Sequence, residues 1–116
     1  MRLSGSWYPN GSPVHSGGSA VLSMENGSRA TLTFNGTGIK WIGYKDEWAG
    51  KASVALDGGS KKVVDTYASP AQAQAVLFSA TGLSGGSHTL TIKVTGSHSA
   101  ASSGDWVWVD AFEVTP

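Results

Sequence analysis

Asp46 and Glu47 are the only adjacent carboxylates in the sequence, and they sit in a polar stretch, Tyr44-Lys45-Asp46-Glu47-Trp48. Glycoside hydrolysis takes two carboxyl groups facing each other across roughly 5–10 Å, one of them with a raised pKa. Neighbours in an extended segment point to opposite sides, so this pair does not make such a site by itself. The segment 43–50 set against Asp105 is the one place where a facing pair could arise. His15, His88 and His98 are scattered, no two histidines are spaced as ligands on one helix turn, and cysteine is absent, which leaves metal chemistry unsupported. The expectation is a protein that binds rather than catalyses.

Five Trp and three Tyr among Gln, Asn, Lys and His are the more telling set. A sugar ring offers a flat C–H face and a rim of hydroxyls, so it is recognised by an aromatic plane with a few polar groups beside it. Trp48 is the leading platform, because its loop has no apolar neighbour to bury an indole; the competing reading is a lid folded onto the sandwich end. Tyr44 and Tyr67 fall at strand ends, either as walls of a site or as edge packing. Lys45, Gln72, Gln74 and His98 are candidate hydroxyl partners, and Lys45 also suits an acidic sugar. Trp106 fits a core corner or a loop-edge platform equally well. Trp41 shares a face with Ile39 and reads as core, while His15 and His88 read as incidental. In the last segment Val107, Val109 and Ala111 alternate with Trp106, Trp108, Asp110 and Phe112. Either the valines face the core and the indoles form an outward stripe, or the reverse holds, unless a bulge intervenes. Asp110 interrupts an apolar strand and needs a partner there, a loop amide or hydroxyl being the simplest.

The elements that must hold these groups are strands. Apolar residues recur with period two in Ala30-Leu32-Phe34, Ala52-Val54-Leu56 and Leu90-Ile92-Val94. Between such runs lie Asn26-Gly27, Asn35-Gly36, Asp57-Gly58-Gly59 and Gly85-Gly86, which accept the positive φ of tight turns. The pattern predicts strands over 4–8, 19–24, 29–35, 38–43, 51–57, 61–67, 74–80, 87–95 and 106–115, with a helical turn conceivable only in the Ala/Gln-rich stretch 68–75, where Pro70 limits it. The whole, 1–116, reads as one domain, since 116 residues suffice for a single core. Eight basic and eight acidic residues cancel, so nucleic acid is not an expected partner. No window approaches the ~18 apolar residues of a membrane helix, so no membrane partner is expected either. The stretch from Met1 to Trp7 has no apolar core, and the chain reads as an excised module.

Three segments carry a family resemblance: Phe34–Gly43 (FNGTGIKWIG), Val76–Ile92 (VLFSATGLSGGSHTLTI) and Ala101–Val114 (ASSGDWVWVDAFEV). Together they resemble the galactose-binding-like β-sandwich modules appended to bacterial glycoside hydrolases and polysaccharide lyases. The resemblance spans nearly the whole chain and implies an all-β, two-sheet antiparallel jelly roll. It also implies a non-catalytic, secreted, extracellular module, monomeric, that holds a parent enzyme in cis on a polysaccharide. No cofactor is required by it, though relatives often bind a structural calcium through a last-strand carboxylate, here Asp110. No acidic pair near the N-terminus completes such a site. Departures fall at the 44–48 loop, at Ala73 between Gln72 and Gln74, and at His98-Ser99, so the ligand can differ from those of relatives. The alternative class is a structural or protein-binding adhesion sandwich, distinguished by a flat apolar patch in place of a wet aromatic rim.

Overall fold

The computed structural model describes all residues 1–116. Eleven strands follow one another: β1 (Arg2–Ser4), β2 (Tyr8–Gly11), β3 (Ser19–Ser23), β4 (Arg29–Asn35), β5 (Gly38–Lys45), β6 (Lys51–Leu56), β7 (Lys62–Asp65), β8 (Gln72–Ala80), β9 (Ser87–Val94), β10 (Val107–Val109) and β11 (Ala111–Thr115). One layer has the order β1-β4-β9-β6-β7, and every pairing in it is antiparallel. The other layer consists of two ladders, β2-β3-β10 and β8-β5-β11. These are continuous, because only Asp110 separates β10 from β11 and its amide donates to the Ile42 carbonyl of β5 at 2.9 Å. The chain crosses between the layers repeatedly, so the molecule is an antiparallel β-sandwich of jelly-roll type.

The period-two runs explain the layers. Ala30, Phe34, Ala52, Val54, Leu90, Ile92 and Val94 of the first layer turn inward and meet Ile39, Trp41, Leu77, Val107 and Val109 of the second in one core cluster. Trp41 is fully buried, as its place beside Ile39 suggests, and its indole N–H donates to the Trp108 carbonyl at 3.2 Å. The intervening residues Arg29, Thr31, Ser53, Ala55, Thr91 and Lys93 face outward.

Three expectations change. The strand over 4–8 is two strands, β1 and β2, which belong to different layers. The break lies at Gly5, with φ of +87°, where a Cβ would sit 2.4 Å from the Ser28 hydroxyl. No helical turn forms over 68–75; Gln72 starts β8, and the only helical feature is a 3-10 turn at Ser16–Gly18. The last strand changes face midway. Val107 and Val109 point into the core, yet Phe112 also packs there, opposite Trp41. Val109 and Phe112 are three positions apart, an odd separation that strict alternation would place on opposite faces, so the irregularity at Asp110 shifts the alternation by one.

Candidate functional site

Three loops gather at one end of the sandwich: 46–50 after β5, 66–71 before β8, and 95–106 before β10. The 46–50 loop is their hub. Its Asp46 carbonyl accepts from Ala68 N at 3.1 Å, and Asp46 bridges in parallel with Tyr67. Its Gly50 carbonyl accepts from the Thr66 hydroxyl at 2.6 Å. On the other side Ser103 N donates to Glu47 O at 2.9 Å, Trp106 N to Trp48 O at 3.1 Å, and Gly50 N to Trp106 O at 2.7 Å. Ser102, almost fully buried, places its hydroxyl 2.7 Å from Ala49 O, 3.2 Å from Glu47 O and 3.1 Å from Gly104 O. Close contact demands a glycine at position 50, where a Cβ would lie 2.6–2.7 Å from the Asp105 backbone.

Trp48 rides on this framework. Its amide donates to the Asp46 carboxylate at 3.0 Å and its carbonyl receives Trp106 N, so the backbone is held on both sides while the residue is 58% exposed. The ring is therefore not a buried lid. Burial pushes the Asp46 carboxyl above the usual carboxylate range; the Trp48 amide opposes this and Glu47 adds to it.

The carboxylates of this end are each committed to the protein. Asp46 caps the Trp48 amide, Glu47 accepts from the Ser69 hydroxyl at 3.3 Å, and Asp105 pairs with His98 Nδ1. Lys45 is half-buried at the end of β5, opposite exposed Gln72 of β8. None of the three surface concavities reaches these loops, so the end is an open surface.

A second group lies on the outer face of the β2-β3-β10 ladder. The valines of β10 face the core, so Trp106 and Trp108 do form an outward stripe. Trp108 is nonetheless only 9% exposed, being covered by Tyr44, with ring centroids 5.1 Å apart, and by His15, at 5.2 Å. Tyr44 therefore packs here, away from a wall beside Trp48. Gln74, in a left-handed conformation with φ of +52°, donates to Val14 O at 3.1 Å and so fastens the 12–18 segment over this face. His15, which reads as incidental in the sequence, is 4% exposed and holds Asn10 Oδ1 at 3.0 Å.

Sequence reasoning also missed Tyr8. It is 55% exposed and sets its ring edge-on to half-buried Trp106, centroids 6.2 Å apart. Pro9 was an available signal: proline is confined to edge strands, and β2 is the edge of its layer, which leaves Tyr8 accessible. Trp106 thus joins Tyr8 through its ring and Trp48 through its backbone amide.

The Asp110 carboxylate accepts from Ser16 N at 3.0 Å, the loop-amide partner that an acid in this strand needs. Its other oxygen, the Trp108 indole N–H and His15 Nδ1 are buried without partners. One carboxylate beside an imidazole and an N–H donor does not assemble the six to eight oxygens that calcium takes, and no three His, Cys, Asp or Glu side chains converge anywhere in the molecule. The residues present do not fit that ion.

No family model matches the chain. It is 38% identical over 92 residues to an A type blood N-acetyl-alpha-D-galactosamine deacetylase of Flavonifractor plautii, a match covering 79% of this chain and 12% of that protein. It is 33% identical over 92 residues to an A type blood alpha-D-galactosamine galactosaminidase of the same organism, covering 79% of this chain and 8% of that protein. The chain thus spans about a tenth of the length of these curated relatives. Among solved structures, a Paenibacillus xanthan lyase superposes over 99% of this chain and 12% of its own, with a TM-score of 0.68 at 16% identity, which shows the shared sandwich fold. The chain is accordingly a β-sandwich similar in sequence to small segments of much larger carbohydrate-active enzymes.

Proposed function

We propose that this sandwich is a non-catalytic module that binds a glycan at its loop end and acts in cis with a larger secreted glycan-degrading enzyme. The observation that carries the reading is Trp48, a 58% exposed indole on a backbone hydrogen-bonded on both sides. A rigid exposed ring loses little freedom when a sugar stacks on it, so most of the stacking energy remains available for binding. Trp106 and Tyr8 extend the aromatic surface, and Lys45, Gln72, Tyr67 and His98 supply polar groups around it. Tyr44 and Gln74 support the site from behind by packing and by anchoring the 12–18 segment.

An open surface stacks one or two rings and leaves the other hydroxyls hydrated, which makes each site weak on its own. Neighbouring modules or repeated epitopes along a polymer compensate by raising the effective concentration. The relatives' names direct the choice of ligands, and a panel should include polymers bearing galactose, galactosamine and N-acetylgalactosamine beside neutral and acidic plant and microbial polysaccharides.

The test is native affinity electrophoresis of the wild type and Trp48→Ala through gels containing each polymer. Retardation by one polymer that Trp48→Ala abolishes supports the reading and locates the site. Migration unaffected by every polymer in the panel rejects it in favour of a structural or protein-binding sandwich.

A further inference from the structure

The outer face of the β1-β4-β9-β6-β7 layer carries a concavity lined by Arg29, Lys61 and Lys93 together with Ser53 and Thr91. No acidic residue lines it. Register explains why the cations converge. Arg29 of β4 lies directly opposite Lys93 of β9, Lys93 lies opposite Ser53 of β6, and Thr91 lies opposite Thr31 and Ala55 on the same face. Lys61 approaches from the start of β7, past the Gly58-Gly59 turn.

This arrangement is electrostatically unfavourable as it stands. Like charges directly opposite each other across two strands have Cβ atoms only about 5 Å apart and destabilise the pairing. The molecule's three ion pairs, Lys40–Glu113, His88–Asp57 and His98–Asp105, engage none of these cations. Asp57, in the adjoining turn, is held by His88 and by the Thr89 amide. Arg2, opposite Thr31, and Lys51, two residues before Ser53, share this face, so five of the chain's eight basic residues lie on one side of a protein with no net charge, Asp65 opposite Lys51 being the acid that these strands place there.

We propose that this concavity binds an oxyanion borne on a glycan, a sulfate ester or a uronate carboxylate, separately from the loop end. Arg29 offers its planar fork to two oxygens of the anion, Lys93 and Lys61 close on it as point charges, and the Ser53 and Thr91 hydroxyls donate from the sheet surface. The anion relieves the Arg29–Lys93 repulsion, so binding weakens steeply as salt rises. The choice of a glycan as carrier rests on the carbohydrate reading above; the anion site itself does not.

Affinity electrophoresis of the whole chain through dextran sulfate, polygalacturonate and uncharged dextran tests this, with Lys61→Gln/Lys93→Gln and Arg29→Gln as variants. Lys40→Gln, on the opposite layer, controls for general polyelectrolyte attraction. The expected result is retardation by at least one of the two charged polymers but not by dextran, weakened about tenfold or more by either variant and little changed by Lys40→Gln. Sulfate and carboxylate are told apart by which polymer retards. Absence of retardation by both charged polymers overturns the proposal, as does retardation that the variants leave intact or that Lys40→Gln weakens equally. Because the loop end is read with Trp48→Ala and this concavity with the cation variants, either site can fail while the other stands. These residues lie on the outer face, and near-ultraviolet circular dichroism verifies that each variant keeps its fold.

Discussion

Ser102→Ala removes one oxygen atom and tests whether the loop end is a framework built to carry Trp48. A serine hydroxyl has one hydrogen to donate, so of its three carbonyl neighbours the one at 2.7 Å, Ala49 O, receives it. Ala49 is fully buried. Truncation therefore removes a hydrogen bond and also strands a buried acceptor, for which the expected cost is about 1–3 kcal/mol. At roughly 4 °C per kcal/mol for a domain of this size, the Tm should fall by about 4–12 °C. Urea titration is the direct assay, with a lower midpoint at unchanged slope, since the surface exposed on unfolding stays the same. Hydrogen exchange should locate the effect, with the amides of Ser103, Trp106 and Gly50 exchanging faster because they lock the two loops together. Affinity for the polymer bound at Trp48 should drop as well, though Ser102 is buried away from ligand. A loss under about 0.5 kcal/mol would refute the reasoning, because water would then be satisfying Ala49 O and the serine would not be holding the loops.

Gly50→Ala should cost about 1–3 kcal/mol through overpacking, since its Cβ would meet the Asp105 backbone at 2.6–2.7 Å; denaturant melts check this, and wild-type stability contradicts the close approach. The His88–Asp57 pair predicts a pH dependence. His88 Nδ1 faces the Asp57 carboxylate at 2.6 Å and Nε2 faces the Ser84 carbonyl at 2.6 Å, so both nitrogens donate only in the imidazolium form. The Asp57 hydrogen bond, then that of Ser84, raises the His88 pKa, and His88 in turn lowers that of Asp57. The raised histidine contributes stability that is complete below its unfolded value of about 6.5 and is lost as pH climbs through the folded value. The lowered aspartate contributes above about 3.9 and is lost as pH falls through its folded value. Stability from this pair is thus greatest between those limits. Differential scanning calorimetry at pH 6 and pH 9 should show a fall in Tm on the alkaline side that His88→Gln reduces; equal pH profiles for the two proteins would remove the pair from the account.

The strands of the first layer were legible because both faces of that layer speak clearly. Ala30, Phe34, Val54, Leu90 and Ile92 alternate with polar partners over full strand lengths, and the core of the structure is built from them. Asp57-Gly58 was legible as a turn for an equally local reason, and both residues adopt positive φ, +53° and +69°. The last strand was ambiguous because its two halves obey opposite parities, and the shift at Asp110 depends on which neighbours pair on each side. β3 flanks the first half and β5 the second, a tertiary fact that no local pattern carries.

The same distinction governs the two proposed binding surfaces. Trp48 announced itself because an indole in a polar loop has nothing nearby in sequence to bury it, and the structure leaves it exposed. Tyr8 and Trp106 are nearly a hundred residues apart and meet only because β2 and β10 both flank β3. Arg29 and Lys93 were each readable as outward positions on alternating strands, but their opposition is a matter of register between β4 and β9. A lone exposed cation on a sheet is ordinarily a solubility feature. Opposed across neighbouring strands, and joined by Lys61 with no acid between them, these cations form a preorganised anion site whose repulsion the ligand relieves.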